Sequence, residues 1–170
     1  MKKSNVLRVL GIDPGTATTG WAIVEEIKGN IKPLAFGHIS TSPKQAEAER
    51  LLEIARDLQK IIKKYKPQEA AIEKVFFFKN QKTIIQIGQS RGIILLTLEK
   101  EKVKISNYTP LQVKQAVTGY GRAEKRQMQL MVKNIFALKA MPKPDDVADA
   151  LAVAFCHLNS RKINHIARNT

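Results

Sequence analysis

Apolar positions alternate loosely from Val6 to Asp13, with Leu7, Val9 and Leu10 apolar, and the run closes on Asp13-Pro14-Gly15. That pattern predicts a strand ended by a tight turn. Thr19–Ile27 and Ile31–Thr41 predict two more strands, joined through Gly29-Asn30. Two short connections in a row imply an antiparallel meander. From Lys44 the period changes, and Leu51, Ile54, Ala55, Leu58, Ile62 and Tyr65 recur at steps of three and four before Pro67. This is an amphipathic helix with a proline stop. Glu69–Glu73 then predicts a short buried strand, reached by a helical crossover and so parallel to its neighbour. Gln81–Leu98 predicts a helix, yet its isoleucines and leucines fall on more than one face, which requires burial on two sides. Val103–Ser106 predicts a fifth strand. Helices follow over Pro110–Val117, Glu124–Leu138 and Val147–Leu158, the first two separated by Gly119-Tyr120-Gly121. The order βββαβαβα predicts an α/β protein with one mixed sheet, three antiparallel strands and then two parallel ones, flanked by helices. One domain over residues 1–160 is expected, with a frayed basic tail over 161–170.

Composition narrows the class. The chain has 170 residues, 44% of them hydrophobic, enough for one proper core. The longest apolar stretches, Gly92–Leu98 and Val147–Leu158, fall well short of the ~20 residues of a membrane span. Arg8 and Asp13 interrupt any signal-peptide core. A soluble, cytoplasmic protein with no membrane partner is the expectation. A single cysteine, Cys156, excludes a disulfide framework and a cysteine zinc site. His38, His157 and His165 have no ligand spacing among them and no nucleophile arrangement beside them.

Charge says more. Lysine and arginine number 29 against 15 acids, a net +14. Residues 74–143 hold 14 basic and 3 acidic side chains, net +11, so nearly all the surplus lies mid-chain. A basic stretch of this kind is the electrostatic footprint of nucleic-acid binding, with a merely solvated lysine-rich surface as its alternative.

Acids stand at the ends of elements in the flanking segments. Asp13 closes the first strand, Glu73 closes the fourth, and Asp146 and Asp149 open the last helix on one face. Four carboxylates converging at one sheet edge would repel one another unless a cation sat among them. Magnesium suits such a site, because it takes hard oxygens and shares them with substrate phosphates. Two ions together can clamp an in-line displacement at phosphorus. Each acid also has a plain reading. Asp13 before Pro-Gly can be a turn residue, Glu73 beside Lys74 an ion pair, and Asp145 and Asp146 helix caps. We assign Asp145 to capping and Asp146 to metal. Asp149, inside the apolar run ADALAVAF, is hardest to explain structurally, since an acid among core residues needs a partner.

The segments GIDPGTATTGWA (11–22), AAIEKVFFFKN (70–80), QIGQSRG (86–92), LQVKQAVTGYGRAEK (111–125) and DDVADALAVAFCH (145–157) together resemble the bacterial RuvC family of Holliday junction resolvases over about residues 6–158. The resemblance implies an RNase H-like fold. It also implies a homodimer that nicks opposing strands of a four-way DNA junction symmetrically, in recombination and repair, leaving 5′-phosphate and 3′-hydroxyl ends. The four catalytic and metal-binding acids correspond to Asp13, Glu73, Asp146 and Asp149, with two Mg2+ per site and Mn2+ as a substitute. Lys114 and Lys125 match lysines near the active site, suited to phosphate contact or transition-state charge. Phe76 matches an aromatic that contacts bases at the junction point, although Phe76, Phe77 and Phe78 also read as a strand extension. Arg122 and Arg126 are taken as phosphate contacts from charge and loop position. The Gln81–Leu98 helix matches the family's dimer helix, with Gly88 and Gly92 as its close-approach points. Branch-migration proteins of the RuvA and RuvB type are the implied partners. Competing readings are an actin-like ATPase, for which 170 residues lack the second lobe, a DNA-binding protein without chemistry, and an RNA–DNA hybrid nuclease.

Overall fold

Strand β1 (Val6–Asp13) turns through Pro14-Gly15 into β2 (Thr18–Ile27), and β2 turns into β3 (Asn30–Ser40), each pair antiparallel. A computed structural model describes residues 6–74 and 81–168. Helix α1 (Glu47–Tyr65) carries the chain back to β4 (Glu69–Glu73), which pairs parallel to β1. Helix α2 (Gln81–Lys100) leads to β5 (Lys104–Tyr108), parallel to β4. The sheet order is β3-β2-β1-β4-β5. Helices α3 (Pro110–Thr118), α4 (Lys125–Ile135) and α5 (Asp145–Arg168) complete the chain. This is the predicted mixed sheet.

Strand alternation builds two cores. Leu10, Ile12, Ile23, Ala70 and Ile72 point to one face and pack on Ile54, Leu58 and Ile62 of α1 and on Ile94 and Leu98 of α2. Val9, Ala22, Val24 and Ala71 point to the other, under Val113, Val132, Leu151 and Leu158 from α3, α4 and α5. Burying each of these valine, leucine and isoleucine side chains contributes about 1.5–3 kcal/mol. Helix α5 lies across β1 and β2, and glycines let it sit close. A Cβ on Gly11 would collide with the Ala150 carbonyl and the Ala154 methyl, and one on Gly20 with the Asp146 carbonyl.

Several boundaries differ from the sequence reading, for local reasons. Helix α1 starts at Glu47 rather than Lys44, because side chains take the preceding amides. The Ser42 N–H donates to Gln45 Oε1, the Lys44 N–H to Ser42 Oγ, and the Ala46 N–H to Glu49 Oε2. Strand β5 runs on to Tyr108 because it pairs with β4 as far as Glu73. Helix α4 stops at Ile135, and Ala137 takes a left-handed φ of 48°. The last helix differs most. Helix α5 does not end at Leu158 but continues to Arg168. Ser160 Oγ donates to the Cys156 carbonyl within the helix, and Arg161 pairs with Glu69 of β4 at 3.3 Å. Among the described residues no helix is long and apolar enough to cross a membrane.

Candidate active site

Asp13 and Glu73 are the last residues of two parallel neighbouring strands paired through Ile12 and Ile72. By the two-residue period they share the face of Gly11 and Ala71, which α5 covers. Gly20 pairs with Asp13 across the antiparallel ladder and admits the Asp146 backbone. The first turns of α5 are thereby held over the end of β1. Asp146 and Asp149, three residues apart, are on one side of that helix. All four acids line a single cavity of about 530 Å³, together with Lys125, Arg50, Gln86 and the turn residues Pro14–Thr18.

The carboxylates are poorly solvated and crowd one another. Burial pushes Asp13 up to about 8, and Asp149, Glu73 and Asp146 add to it while Lys125 opposes. Glu73 rises to about 7, from burial first and then the charge of Asp149, with Lys114 opposing. Asp149 rises to about 6, again mainly from burial. Lys125 Nζ reaches Asp145 Oδ2 at 2.9 Å, and that bond is the largest cause of its raised pKa. Asp145 also accepts from Gln129 Nε2 at 2.7 Å, and the Lys125 bond holds its carboxyl below the usual range. The aspartate that sequence assigns to capping is thus an exposed partner of Lys125, while Asp146 faces the cavity.

A second cavity of about 240 Å³ is lined by Lys114, Pro110, Val113 and Met128 and shares Glu73, Lys125 and Asp149 with the first. Both lysines singled out by the sequence therefore reach the acids. Arg122 and Arg126 are exposed and line neither cavity. Gly88 and Gly92 are exposed on α2, with open space where a Cβ would go. Phe76 lies outside the described residues. His157 is a core residue: its Nδ1 is 2.7 Å from the Tyr108 hydroxyl, its other nitrogen meets Glu69, and burial lowers its pKa. Cys156 is buried. Sequence reasoning missed Arg50, Thr16 and Gln86. A cation in the first turn of α1, where the helix dipole favours anions, is the one signal that could have flagged Arg50.

The donor set suits a divalent cation. It offers hard carboxylate oxygens, three of them destabilised as anions by burial and mutual repulsion, opening on a cavity with room for waters and phosphate. Among the described residues no three His, Cys, Asp or Glu side chains are grouped closely enough to hold a metal ion by themselves. A consequence for stability follows. The raised carboxyls bind protons more tightly in the folded than in the unfolded chain, so folding is favoured at low pH and that advantage is lost as pH rises through about 6 to about 8. In a chelator the melting temperature should fall as pH is raised over this window. Added magnesium should recover it most at the alkaline end, where the acids are free to bind it. An equal magnesium effect at pH 5 and pH 8.5 would separate cation binding from these acids.

A five-stranded sheet in the order β3-β2-β1-β4-β5, with carboxylates at the ends of its two central parallel strands and on the helix above them, defines an RNase H-like nuclease. The family model described as Crossover junction endodeoxyribonuclease RuvC matches residues 9–157, and the chain belongs to that family. The crossover junction endodeoxyribonuclease RuvC of Syntrophomonas wolfei is 49% identical over 158 residues, covering 93% of this chain and 92% of its own length. That of Caldicellulosiruptor saccharolyticus is 53% identical over 155 residues, 91% of this chain and 93% of the relative. Among solved structures, T. thermophilus RuvC in complex with Holliday junction substrate superposes with a TM-score of 0.87 at 32% identity, covering 93% of this chain and 96% of that one. Membership makes the chain an endodeoxyribonuclease and implies use of a divalent metal.

Proposed function

We propose that this protein resolves four-way DNA junctions by hydrolysing one phosphodiester in each of two opposing strands, leaving 5′-phosphate and 3′-hydroxyl ends. The observation that carries this reading is the meeting of Asp13, Glu73, Asp146 and Asp149, from three separate elements, in one open cavity. These acids are the proposed catalytic metal ligands, for two Mg2+ with Mn2+ as a substitute. Bound there, the metal supplies Lewis-acid activation of a water and neutralises charge on the departing oxygen. The chain's own part is positional. The strand ends and α5 fix the acids, Lys125 stays beside them through Asp145, and Lys114 stands next to Glu73 to meet phosphate. Arg122 and Arg126 are the proposed contacts to phosphates of the duplex arms, supported by their charge and exposure. Phe76 remains the proposed base contact.

Two cuts call for two sites. Helix α2 buries Ile94 and Leu98 against its own sheet but leaves Ile85 62% and Leu96 53% exposed, on the side where Gly88 and Gly92 are open. We read that side as the contact with a second copy about a two-fold axis, which matches the two-fold symmetry of a junction. Residues 1–160 form the proposed nuclease domain, with 161–170 as its basic C-terminal tail. Branch-migration proteins of the RuvA and RuvB type are the proposed partners, in the cytoplasm. The test is incubation with a synthetic four-way junction, a linear duplex and an RNA–DNA hybrid, with and without magnesium. Paired nicks in the junction alone, only with the metal, are expected. Preferential cutting of the hybrid would contradict the reading.

A further inference from the structure

Arg50 enters the acid cavity from α1, which packs on the opposite face of the sheet from α5. Its Nε donates to Thr41 Oγ1 at 2.8 Å, and that hydroxyl donates to the Thr16 carbonyl at 2.6 Å. The Thr16 hydroxyl in turn donates to the Gln86 carbonyl at 2.8 Å. Both threonines are buried, at 7% and 8% exposure, so the guanidinium is anchored through its Nε to a fixed support. Among the described residues its two Nη groups have no hydrogen-bond partner, and Arg50 forms no ion pair even though four carboxylates share its cavity. Lys125, the other cation lining that cavity, is paired with Asp145.

The two cavities show where this arginine stands. Glu73, Lys125 and Asp149 line both, Lys114 lines only the second, and Arg50 lines only the first. Glu73 and Asp149 therefore lie where the cavity of an anchored arginine meets that of a lysine, and Asp13 and Asp146 lie on the arginine's side. A planar guanidinium with a free edge is matched to two oxygens of one phosphate, in a geometry that a lysine cannot offer. We propose that Arg50 binds a backbone phosphate of the strand being cut, next to the scissile one and on the side of the acids away from Lys114. The inference rests on the reading of this cavity as the DNA-cutting site and assigns it a second grip. Held at both ends, the strand would present one phosphodiester to the acids in a fixed direction.

The test is a cycle of neutral linkages against Arg50 variants. Methylphosphonates replace the phosphates around the cut site one at a time in a synthetic junction, and affinity in a chelator and cutting rate in magnesium are both measured. Arg50→Ala should weaken binding by about 10- to 100-fold, as loss of a charge-assisted contact does, and lower the salt slope by about one. One linkage should cost the wild type a similar factor and cost Arg50→Ala nothing further. Arg50→Lys should recover the salt slope but only part of the cutting rate. Should Arg50→Ala fail to fold, Arg50→Gln keeps the stem without the charge and must give the same silent linkage. A wild type that cuts junctions while every linkage costs the variant as much as the wild type would overturn the contact and leave the nuclease reading standing. A wild type that cuts no junction would overturn that reading itself.

Discussion

Asp13→Asn is expected to lower strand cutting by about 10³-fold or more while junction binding in a chelator holds or tightens. Asp13 is where the site is most strained electrostatically, with burial and three neighbouring carboxylates all raising its pKa. Replacing it with the neutral amide removes a proposed metal ligand, and metal activation is worth several kcal/mol at a transition state. The same change subtracts no cation from the DNA-facing surface and takes one negative charge away from the path of phosphate. Affinity and rate should therefore separate. Asp149→Asn should behave alike, since Asp149 lines both cavities. The expected melting curve in a chelator also moves in a defined direction. Relief of carboxylate repulsion should make Asp13→Asn more stable than the wild type at pH 8, with the difference shrinking toward pH 4. Wild-type cutting by either variant would remove the chemistry from these acids.

Gly88→Leu should turn a coupled pair of nicks into single nicks. Gly88 is exposed and a Cβ there meets nothing within its own chain, so the substitution should leave the monomer fold intact. In the proposed dimer the same position is a point of close approach between two helices, where a leucine side chain would force them apart. Sedimentation should shift toward monomer at micromolar concentration, and singly nicked junctions should accumulate while the rate of the first nick changes less. A Gly88→Leu protein that stays dimeric and still cuts both strands together would move the interface elsewhere on the surface.

Much of this is legible in the amino-acid sequence itself. The change from a two-residue to a 3.6-residue period at Lys44 separates meander from helix, and Pro67 and the buried run after it place the crossover strand. Asp13 and Glu73 stand at strand ends by the same pattern, and Asp149 stands out as an acid among core residues. What stayed hidden depends on contacts between distant segments. The Asp145–Lys125 pair joins two helices while Asp146 lines the cavity, a division that spacing alone does not reveal. The close seating of α5 rests on Gly11 and Gly20, which in the sequence are only small residues in strands. Arg50 shares the acid cavity while its Nε is held through the hydroxyls of Thr41 and Thr16 to the Gln86 carbonyl, a path without local pattern. The continuation of α5 past Leu158 carries no apolar stripe strong enough to predict, and at its start Arg161 pairs with Glu69.

The most direct measurement of the central claim uses a supercoiled plasmid carrying an inverted repeat extruded as a cruciform. The plasmid is incubated with the protein in magnesium, with Asp13→Asn alongside. Two coordinated nicks in opposing strands convert this substrate to linear DNA with ends that ligase can seal, whereas independent nicks give open circles. The account predicts linear product from the wild type, cut points related by the symmetry of the cruciform, and none from Asp13→Asn. Open circles alone, or equal cutting of a plasmid lacking the inverted repeat, would contradict it.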